Sequence, residues 1–189
     1  MPRNGQEYDN AGFWLAGEFP RQAEPLRASF ERGILAGAGD GLTPLSFAYL
    51  TGRYRFLTAG ASHFFGKEEL AAFTGWLTEQ SKRHVPAEHF STPQVRLYVG
   101  GCGRSLARDD AAGGWRYCFS LSTGSRAGQM EFLGRCHGAR SFLRLGRVSR
   151  LRLGPGTLVI HDARGAYGVR IRGNPDPLGG LVYLDGFLW

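Results

Sequence analysis

The stretch "LGPGTLVIHDARGAYGVRI", Leu153 to Ile171, contains a turn, a strand, a second turn and a second strand. Glycine and proline at residues 154–156 mark the first turn, because these residues punctuate a chain between regular elements. The run "TLVI" that follows is apolar at three successive positions, which is typical of a buried strand. The stretch therefore predicts β-structure packed into a core.

Comparable short segments run from about residue 94 to the end of the chain, each bounded by turn-forming residues. In "WRYCFSLS" the residues alternate, so Trp115, Tyr117 and Phe119 lie on one face of a strand while Arg116 and Cys118 lie on the other. About eight strands at near-regular spacing favour a jelly roll or a small barrel. The other predicted strands are "QVRLYV", "GQMEFL", "SFLRL", "VSRLRL" and "GLVYLDGFLW".

Two helices are predicted in the first half of the chain. The segment "PRQAEPLRASFERGILAG" places apolar residues at helical spacing before a glycine-rich stop. In "GKEELAAFTGWLTEQSKRH", Leu70, Phe73 and Leu77 form one stripe with Trp76 at its edge, and Pro86 prevents continuation. We therefore predict an α+β protein, mainly β: a jelly roll buttressed by N-terminal helices.

At 189 residues the chain has the size of one domain. We expect residues 1–93 to form a helical support region and residues 94–189 to form the jelly-roll core. The N-terminus lacks an apolar segment of signal-peptide length, and no run approaches a membrane span. Three cysteines without CxxC spacing argue against a disulfide framework and a zinc site. These features predict a cytoplasmic protein with no membrane contact.

The net charge is +7, and only two of the 23 basic residues are lysines. Many arginines alternate with apolar residues, as in "RSFLRLGRVSRLRL", which on strands indicates a solvated face. Nucleic-acid surfaces usually cluster their cations among aromatic residues, so this pattern disfavours nucleic acid as a partner. An anionic small molecule or an acidic carrier domain would also suit such a face.

The order of these segments resembles a known family, the iron(II)- and 2-oxoglutarate-dependent oxygenases, and especially their prolyl-hydroxylase-like branch. Five segments carry the resemblance, which spans about residues 66–189, and "PGTLVI" is the most telling piece. It implies a double-stranded β-helix, the jelly roll of these oxygenases. The segments are "RLYVGGCGRSLARDD", "WRYCFSLS", "GQMEFL", "LGPGTLVIHDARGAYGVRI" and "GGLVYLDGFLW".

The resemblance also implies where the cofactor ligands of the family would fall. The family's His-x-Asp triplet falls on Ala107, Arg108 and Asp109, and its distal histidine falls on Tyr167. The arginine that would bind 2-oxoglutarate falls near Gly180. Because imidazole supplies most of the affinity for ferrous ion, loss of both histidines predicts no conventional metal site. We predict no metal ligands, and expect iron(II) and 2-oxoglutarate only if atypical ligands replace the missing ones.

Nine residues are candidates for the site. The catalytic candidates are those that carry acid, base or charge-stabilising groups: Asp109, His161, Tyr167 and Arg172. The substrate-binding candidates are those that would line or rim an aromatic cup: Tyr98, Trp115, Tyr117, Phe119 and Arg170. For each residue a structural role competes with the functional one; His161, for example, is also a candidate for a hydrogen-bonded core histidine.

Two hypotheses for function remain open. In the first, favoured, hypothesis the chain is a biosynthetic enzyme that acts on a largely apolar small organic molecule. In its preferred form this enzyme works without the usual iron site and catalyses a cyclisation, an isomerisation or an elimination. In its alternative form it is a hydroxylase with atypical iron ligands such as Asp109 and His161. In the second hypothesis it is a catalytically silent relative that binds a ligand or a protein, since a fold does not imply a function.

Overall fold

The computed structural model describes residues 13–49, 52–99, 103–107, 114–122, 128–134, 147–171 and 181–189. Within them the chain forms two α-helices, α1 (Pro20–Leu35) and α2 (Lys67–Ser81), and short 3-10 turns at Ala38–Gly41 and Ala61–His63. The strands are β1 (Trp14–Glu18), β2 (Thr43–Tyr49), β3 (Gly52–Gly60), β4 (Gln94–Tyr98), β5 (Gly103–Ala107), β6 (Trp115–Ser120), β7 (Gly128–Gly134), β8 (Arg147–Arg152), β9 (Thr157–Asp162), β10 (Tyr167–Ile171) and β11 (Leu181–Leu188).

Both predicted helices are confirmed. Helix α1 begins with a proline, whose missing N–H is no loss in a first turn. It buries Ala23, Leu26 and Phe30 on one face and stops before Gly37, which adopts a φ of 89° that favours glycine. In α2 the carboxylate of Glu69 accepts a hydrogen bond from the backbone N–H of Gly66 at 2.9 Å, which satisfies one exposed donor of the first turn.

The apolar stripe of α2 packs as its spacing predicts. Phe73 and Leu77 are fully buried, and Leu70 and Trp76 pack against the same core while remaining partly exposed. Phe73 contacts the rings of Tyr117 and Phe119, with ring centroids 6.3 and 5.4 Å away. The helix therefore covers one face of β6.

The strands form one continuous antiparallel sheet in the order β1-β9-β6-β11-β4-β3-β5-β10-β7-β8, with β2 paired to β3. The sheet turns a corner at β3: Leu57–Gly60 pair with β4, whereas Tyr54 and Arg55 pair with β5. We call the strands β1, β9, β6, β11 and β4 the main half of the sheet, and the strands β5, β10, β7 and β8 the second half. The predicted mainly β architecture with helices on one side is confirmed.

The predicted division of the chain at residue 93 needs correction. The first half of the chain contributes β1, which pairs with β9, and β3, which joins the two halves of the sheet. The hairpin of β2 and β3 was overlooked in the sequence, although "LSFAYLTGRYRFL" combines strand-forming residues with a glycine turn. The helices and the barrel are thus interleaved along the chain.

Two apolar cores lie on opposite faces of the main half. The first, between the main half and the helices, includes Phe30, Phe73 and Phe119. The second, between the main half and the second half, includes Tyr98, Cys118, Met130, Phe132, Tyr167 and Tyr183. We call the space around the second core the barrel interior. In the described part of the chain, no helix is long and apolar enough to cross a bilayer.

Candidate active site

Strand β6 separates two chemically different environments. Tyr117 and Phe119 belong to the core under the helices, and Trp115 packs against it. Cys118 belongs to the barrel interior. Because strand residues alternate, the charged and polar residues of β6 face the interior and its aromatic residues face the helices. The prediction that Trp115, Tyr117 and Phe119 line a cup therefore assigned them to the wrong face.

Tyr98, at the end of β4, does face the barrel interior. Its ring stacks on that of Tyr183 with 5.7 Å between centroids, and the Tyr183 hydroxyl donates to the Tyr98 hydroxyl at 3.2 Å. Both side chains are fully buried. Burial raises the pKa of Tyr183 well above its usual value, and the Tyr98 phenol adds to the shift. Tyr183 is therefore a neutral hydrogen-bonding group.

A buried ionic cluster lies beside these tyrosines. The Nε of Arg96 is 2.9 Å from Oδ2 of Asp185, and the Nε of Arg116 donates to the same oxygen at 3.0 Å. Nη2 of Arg116 also donates to it. Arg116 and Asp185 are each 1% exposed and Arg96 is 16% exposed. A carboxylate from β11 is thus held between guanidinium groups from β4 and β6.

Both arginines of the cluster stay protonated. Burial by itself would lower the pKa of Arg96 and of Arg116, because it disfavours a charged group. The carboxylate of Asp185 outweighs that effect, and both pKa values are raised above the usual one. The barrel interior therefore holds fixed charges.

His161 and Tyr167, two of the catalytic candidates, meet in the barrel interior. Their ring centroids are 4.8 Å apart, and the His161 ring also lies 5.3 Å from that of Phe132. Nδ1 of His161 is 2.9 Å from the carbonyl oxygen of Asp162. Because a carbonyl only accepts, Nδ1 carries the proton, and in the neutral ring Nε2 carries the lone pair. Nε2 is therefore the basic atom of the His161 ring.

The ionic cluster and the pair of His161 and Tyr167 are adjacent. Arg116 is directly opposite His161 in the pairing of β6 with β9. Its guanidinium carbon lies 5.1 Å from the ring centroid of Tyr167. We call Arg96, Arg116, His161, Tyr167 and Asp185 the interior cluster. Five elements of the sheet, β4, β6, β9, β10 and β11, supply one residue each.

The two positions at which the family would place histidines are neighbours in this chain. Ala107, on β5, is opposite Tyr167, on β10, in the register of these strands.

The described residues do not fit a ferrous site. No group of three or more His, Cys, Asp or Glu side chains among them is arranged to hold a metal ion. The one carboxylate of the interior cluster, that of Asp185, is engaged by two guanidinium groups. A permanent cation at Arg116 also opposes a second cation beside it. We therefore derive no reaction step through iron or 2-oxoglutarate.

Of the remaining predicted residues, the structure describes only the backbone of Arg170. Asp109 and Arg172 fall outside the described residues, and so does the stretch around Gly180. The backbone of Arg170 lies on β10 opposite Gln129 of β7.

The functional candidates that the sequence analysis missed are Arg96, Arg116 and Asp185. A signal for them was present, since each is a lone charged residue inside an otherwise apolar or neutral strand. Buried charges need partners, so three such residues on different strands could have been expected to meet. The sequence does not reveal which strands are neighbours, and that information came only from the fold.

A concave surface lies on the helix side, away from the interior cluster. It is a groove of about 490 Å³ between α1 and the end of β6, lined in part by Arg27, Glu31, Leu121 and Ser122. Arg27 bridges it by pairing with Glu31 at 2.6 Å and donating to the carbonyl oxygen of Leu121 at 2.8 Å. The groove offers polar groups on an apolar floor but no described acid–base pair.

Neither a family model nor a curated protein sequence matches the chain. Solved structures do match it. A prolyl-4-hydroxylase from Pseudomonas putida is 17% identical, with a TM-score of 0.62 over 98% of this chain and 96% of the hydroxylase. The non-heme alpha-ketoglutarate-dependent carbocyclase SnoK from nogalamycin biosynthesis is 10% identical, with a TM-score of 0.66 over 100% of this chain and 83% of SnoK.

A third match belongs to the same group. The non-heme alpha-ketoglutarate-dependent epimerase SnoN, also from nogalamycin biosynthesis, is 12% identical, with a TM-score of 0.64 over 99% of this chain and 81% of SnoN. Alpha-ketoglutarate is another name for 2-oxoglutarate. All three matches cover nearly the whole of this chain and support the same architecture. The chain has the double-stranded β-helix fold of the iron(II)- and 2-oxoglutarate-dependent oxygenases, as its sequence predicts.

Proposed function

We propose that the chain is a biosynthetic enzyme that converts a small organic molecule by positioning and acid–base catalysis, without ferrous iron. The reaction class is cyclisation, isomerisation or elimination. The observation that carries the proposal is the interior cluster, in which charged and titratable side chains converge inside a barrel. Perturbed ionisable groups gathered in one cavity are a mark of functional sites.

The cost of the interior cluster supports a chemical role. Taking charged groups out of water costs several kcal/mol per ion, and well-packed apolar residues of similar volume are often neutral or stabilising replacements. A barrel kept only as a scaffold has no need of Arg116 and Asp185 in its core. Both are nonetheless present at 1% exposure.

Each member of the cluster has a chemical role in the proposal. His161 takes or returns a proton at Nε2, and Tyr167 orients the substrate or donates its phenolic proton. Arg116 stabilises negative charge as it develops on the substrate, an effect that is strong in a dry site. Acid–base catalysis of this kind contributes about 10²–10⁴-fold to a rate.

The surroundings of the cluster suit a largely apolar substrate with a few polar groups. Met130, Phe132 and Val169 line the same interior and are fully buried. Asp109, Arg170 and Arg172 remain proposed as further polar contacts, and an acidic carrier domain remains a proposed partner. SnoN and SnoK, an alpha-ketoglutarate-dependent epimerase and an alpha-ketoglutarate-dependent carbocyclase from nogalamycin biosynthesis, have this fold.

Metal analysis with a cosubstrate assay tests the metal-free part of the proposal. We expect purified protein to contain far less than one iron per chain and to form no succinate when supplied with ferrous ion and 2-oxoglutarate. Stoichiometric iron with succinate formation would instead establish the alternative, a hydroxylase with atypical ligands.

Metabolite profiling tests the catalytic part. In a source strain, replacing the gene by a His161→Gln variant should cause the same intermediate to accumulate as deletion does. Glu79→Gln, at an exposed carboxylate on α2, is the matched control and should leave the profile unchanged.

A specific observation favours a second function, that of a catalytically silent binding protein. The interior side chains are closely packed, since Tyr98, Tyr167 and Tyr183 are all at 0% exposure. The groove beside α1 would then be the binding surface. In that case His161→Gln would leave the metabolite profile intact, whereas deletion of the gene would not.

A further inference from the structure

The ionic part of the interior cluster supports an inference that goes beyond the proposed reaction and does not depend on it. Two buried guanidinium groups, those of Arg96 and Arg116, converge on one oxygen of Asp185. We propose that this part of the barrel is a binding site for an organic carboxylate, and that the chain itself supplies the carboxylate through Asp185.

The strand register explains why Asp185 occupies the site. On β11, Asp185 lies opposite Cys118 of β6 on one side and Gln94 of β4 on the other. Arg116 lies opposite Phe187, and Arg96 lies opposite Tyr183. The two arginines therefore reach Asp185 diagonally, one from two positions before it along β11 and the other from two positions after it, within the range of long side chains.

The arginines are held in place by contacts other than Asp185. The guanidinium carbon of Arg96 lies 4.7 Å from the ring centroid of Phe56. That of Arg116 lies 5.1 Å from the ring centroids of both Tyr167 and Phe187. Aromatic faces attract guanidinium groups. We call the guanidinium groups of Arg96 and Arg116 together with these rings the cradle, and we expect the cradle to persist when the Asp185 carboxylate is removed.

The chemistry of the cradle selects its ligand. Guanidinium groups match carboxylates in both charge and geometry. Oδ2 of Asp185 receives both arginines, while Oδ1, in a side chain that is 1% exposed, accepts no hydrogen bond from the described residues. In the wild type the carboxylate of Asp185 occupies the position between the two arginines. An external carboxylic acid therefore cannot bind there.

Removing the internal carboxylate should convert the cradle into a site for a small external one. The Asp185→Ala variant should melt roughly 6–20 °C below the wild type, because it leaves buried guanidinium groups without their anion. Sodium formate or acetate at about 100 times its Kd should restore roughly 5–11 °C of that loss relative to equimolar sodium chloride. The measurement is a thermal unfolding curve at fixed ionic strength.

Three controls define the result. The wild type should gain no more from formate, acetate or 2-oxoglutarate than from chloride. Asp185→Asn should not respond either, because the amide fills the space without restoring the charge. Glu79→Ala, which removes an exposed carboxylate paired with Lys82, should show no carboxylate-specific gain.

The proposal is wrong if Asp185→Ala responds equally to formate and chloride, or if the wild type is stabilised by formate as much as the variant is. Should the variant not fold alone, its refolding yield in formate is compared with that in chloride. A higher yield in formate supports the proposal and equal yields contradict it. Because no readout involves turnover, failure here leaves the proposed reaction untouched, and failure of the reaction leaves this site intact.

Discussion

The two faces of the main half of the sheet differ in what they bury. The face under the helices is packed with aromatic side chains such as Phe73 and Phe119, which are at 0% exposure. The face toward the second half buries Arg116, His161 and Asp185 at equal depth. Since the depth of burial is the same, the two faces differ in chemistry: the helix side buries apolar rings, and the barrel side buries charged groups that apolar residues of similar volume often replace without loss of stability.

The largest expected effect comes from breaking the ion pair on the barrel side. Arg116→Met should lower the free energy of unfolding by about 3–5 kcal/mol, because it strands a buried carboxylate. In the double variant Arg116→Met/Asp185→Leu the loss should be at least about 2 kcal/mol smaller than the sum of the two single losses. Urea unfolding of the four proteins measures the coupling.

Lys82→Met is the matched control for that cycle. Lys82 pairs with Glu79 on the surface at 2.9 Å, and both side chains are more than half exposed. Its removal should change the free energy of unfolding by less than about 1 kcal/mol. Additive losses in the Arg116–Asp185 cycle would show that the two charges are stabilised independently, and the contrast between the two faces would lose its basis.

A smaller effect is expected at Gly186, which follows Asp185 on β11 and therefore faces the helix side of the sheet. A Cβ at Gly186 would lie 2.7 Å from Oγ of Ser91 and 2.8 Å from the ring and hydroxyl of Tyr117. Gly186→Ala should therefore cost about 1–3 kcal/mol by overpacking the helix side. Chemical denaturation measures the change.

Gly75→Ala provides a control of opposite sign. Gly75 is in α2, and a Cβ there would meet nothing within 4 Å. Alanine at this position should stabilise the protein by about 0.5–1 kcal/mol, because glycine is the poorer helix former. If Gly186→Ala were equally harmless, the helix side would be packed less tightly than its exposures indicate.

The smallest expected effect is a pH dependence on the helix side. Burial, with a contribution from Arg83, lowers the pKa of His84, whose ring lies 6.3 Å from that of Trp14. The folded state thus binds fewer protons, so the stability contributed by neutral His84 is present above about pH 6.5 and is lost as pH falls toward the lowered pKa.

Unfolding curves at several pH values test this effect. The loss between pH 7.5 and 5.5 should be well below about 1 kcal/mol, since the side chain is partly exposed. It should shrink in His84→Gln and persist in His89→Gln, at an exposed position. An unchanged profile in His84→Gln would assign the pH dependence to other groups.

The sequence was sufficient for both helices and for most of the strands after residue 93, but not for the strands before it or for which face of a strand meets which layer. Helical spacing predicted the stripe of Phe73 and Leu77, and alternation in "WRYCFSLS" correctly separated Tyr117 from Arg116. Alternation defines two faces without saying which one meets which layer. The sheet is buried on both sides. The aromatic face of β6 packs against the helices, and its polar face points into the barrel interior.

The candidate site was only partly predictable for a related reason. His161 and Tyr167 were expected from their places in the pattern, and the structure brings their rings together. The grouping of Arg96, Arg116 and Asp185 depends on β4, β11 and β6 being neighbours, which is a property of topology. Contacts between residues 69 or more positions apart leave no local trace in a single sequence.

The corner at β3 constrains how this protein can change over evolution. One strand sets the alignment of both halves, because Leu57–Gly60 pair with β4 and Tyr54–Arg55 pair with β5. A deletion of one residue at Phe56 would shift the register of β3 by one position against either β4 or β5, and the side chains of the shifted part of β3 would turn to the opposite face. Insertions and deletions are therefore tolerable in the loops but not at this bend, and new chemistry has to arise here by substitution.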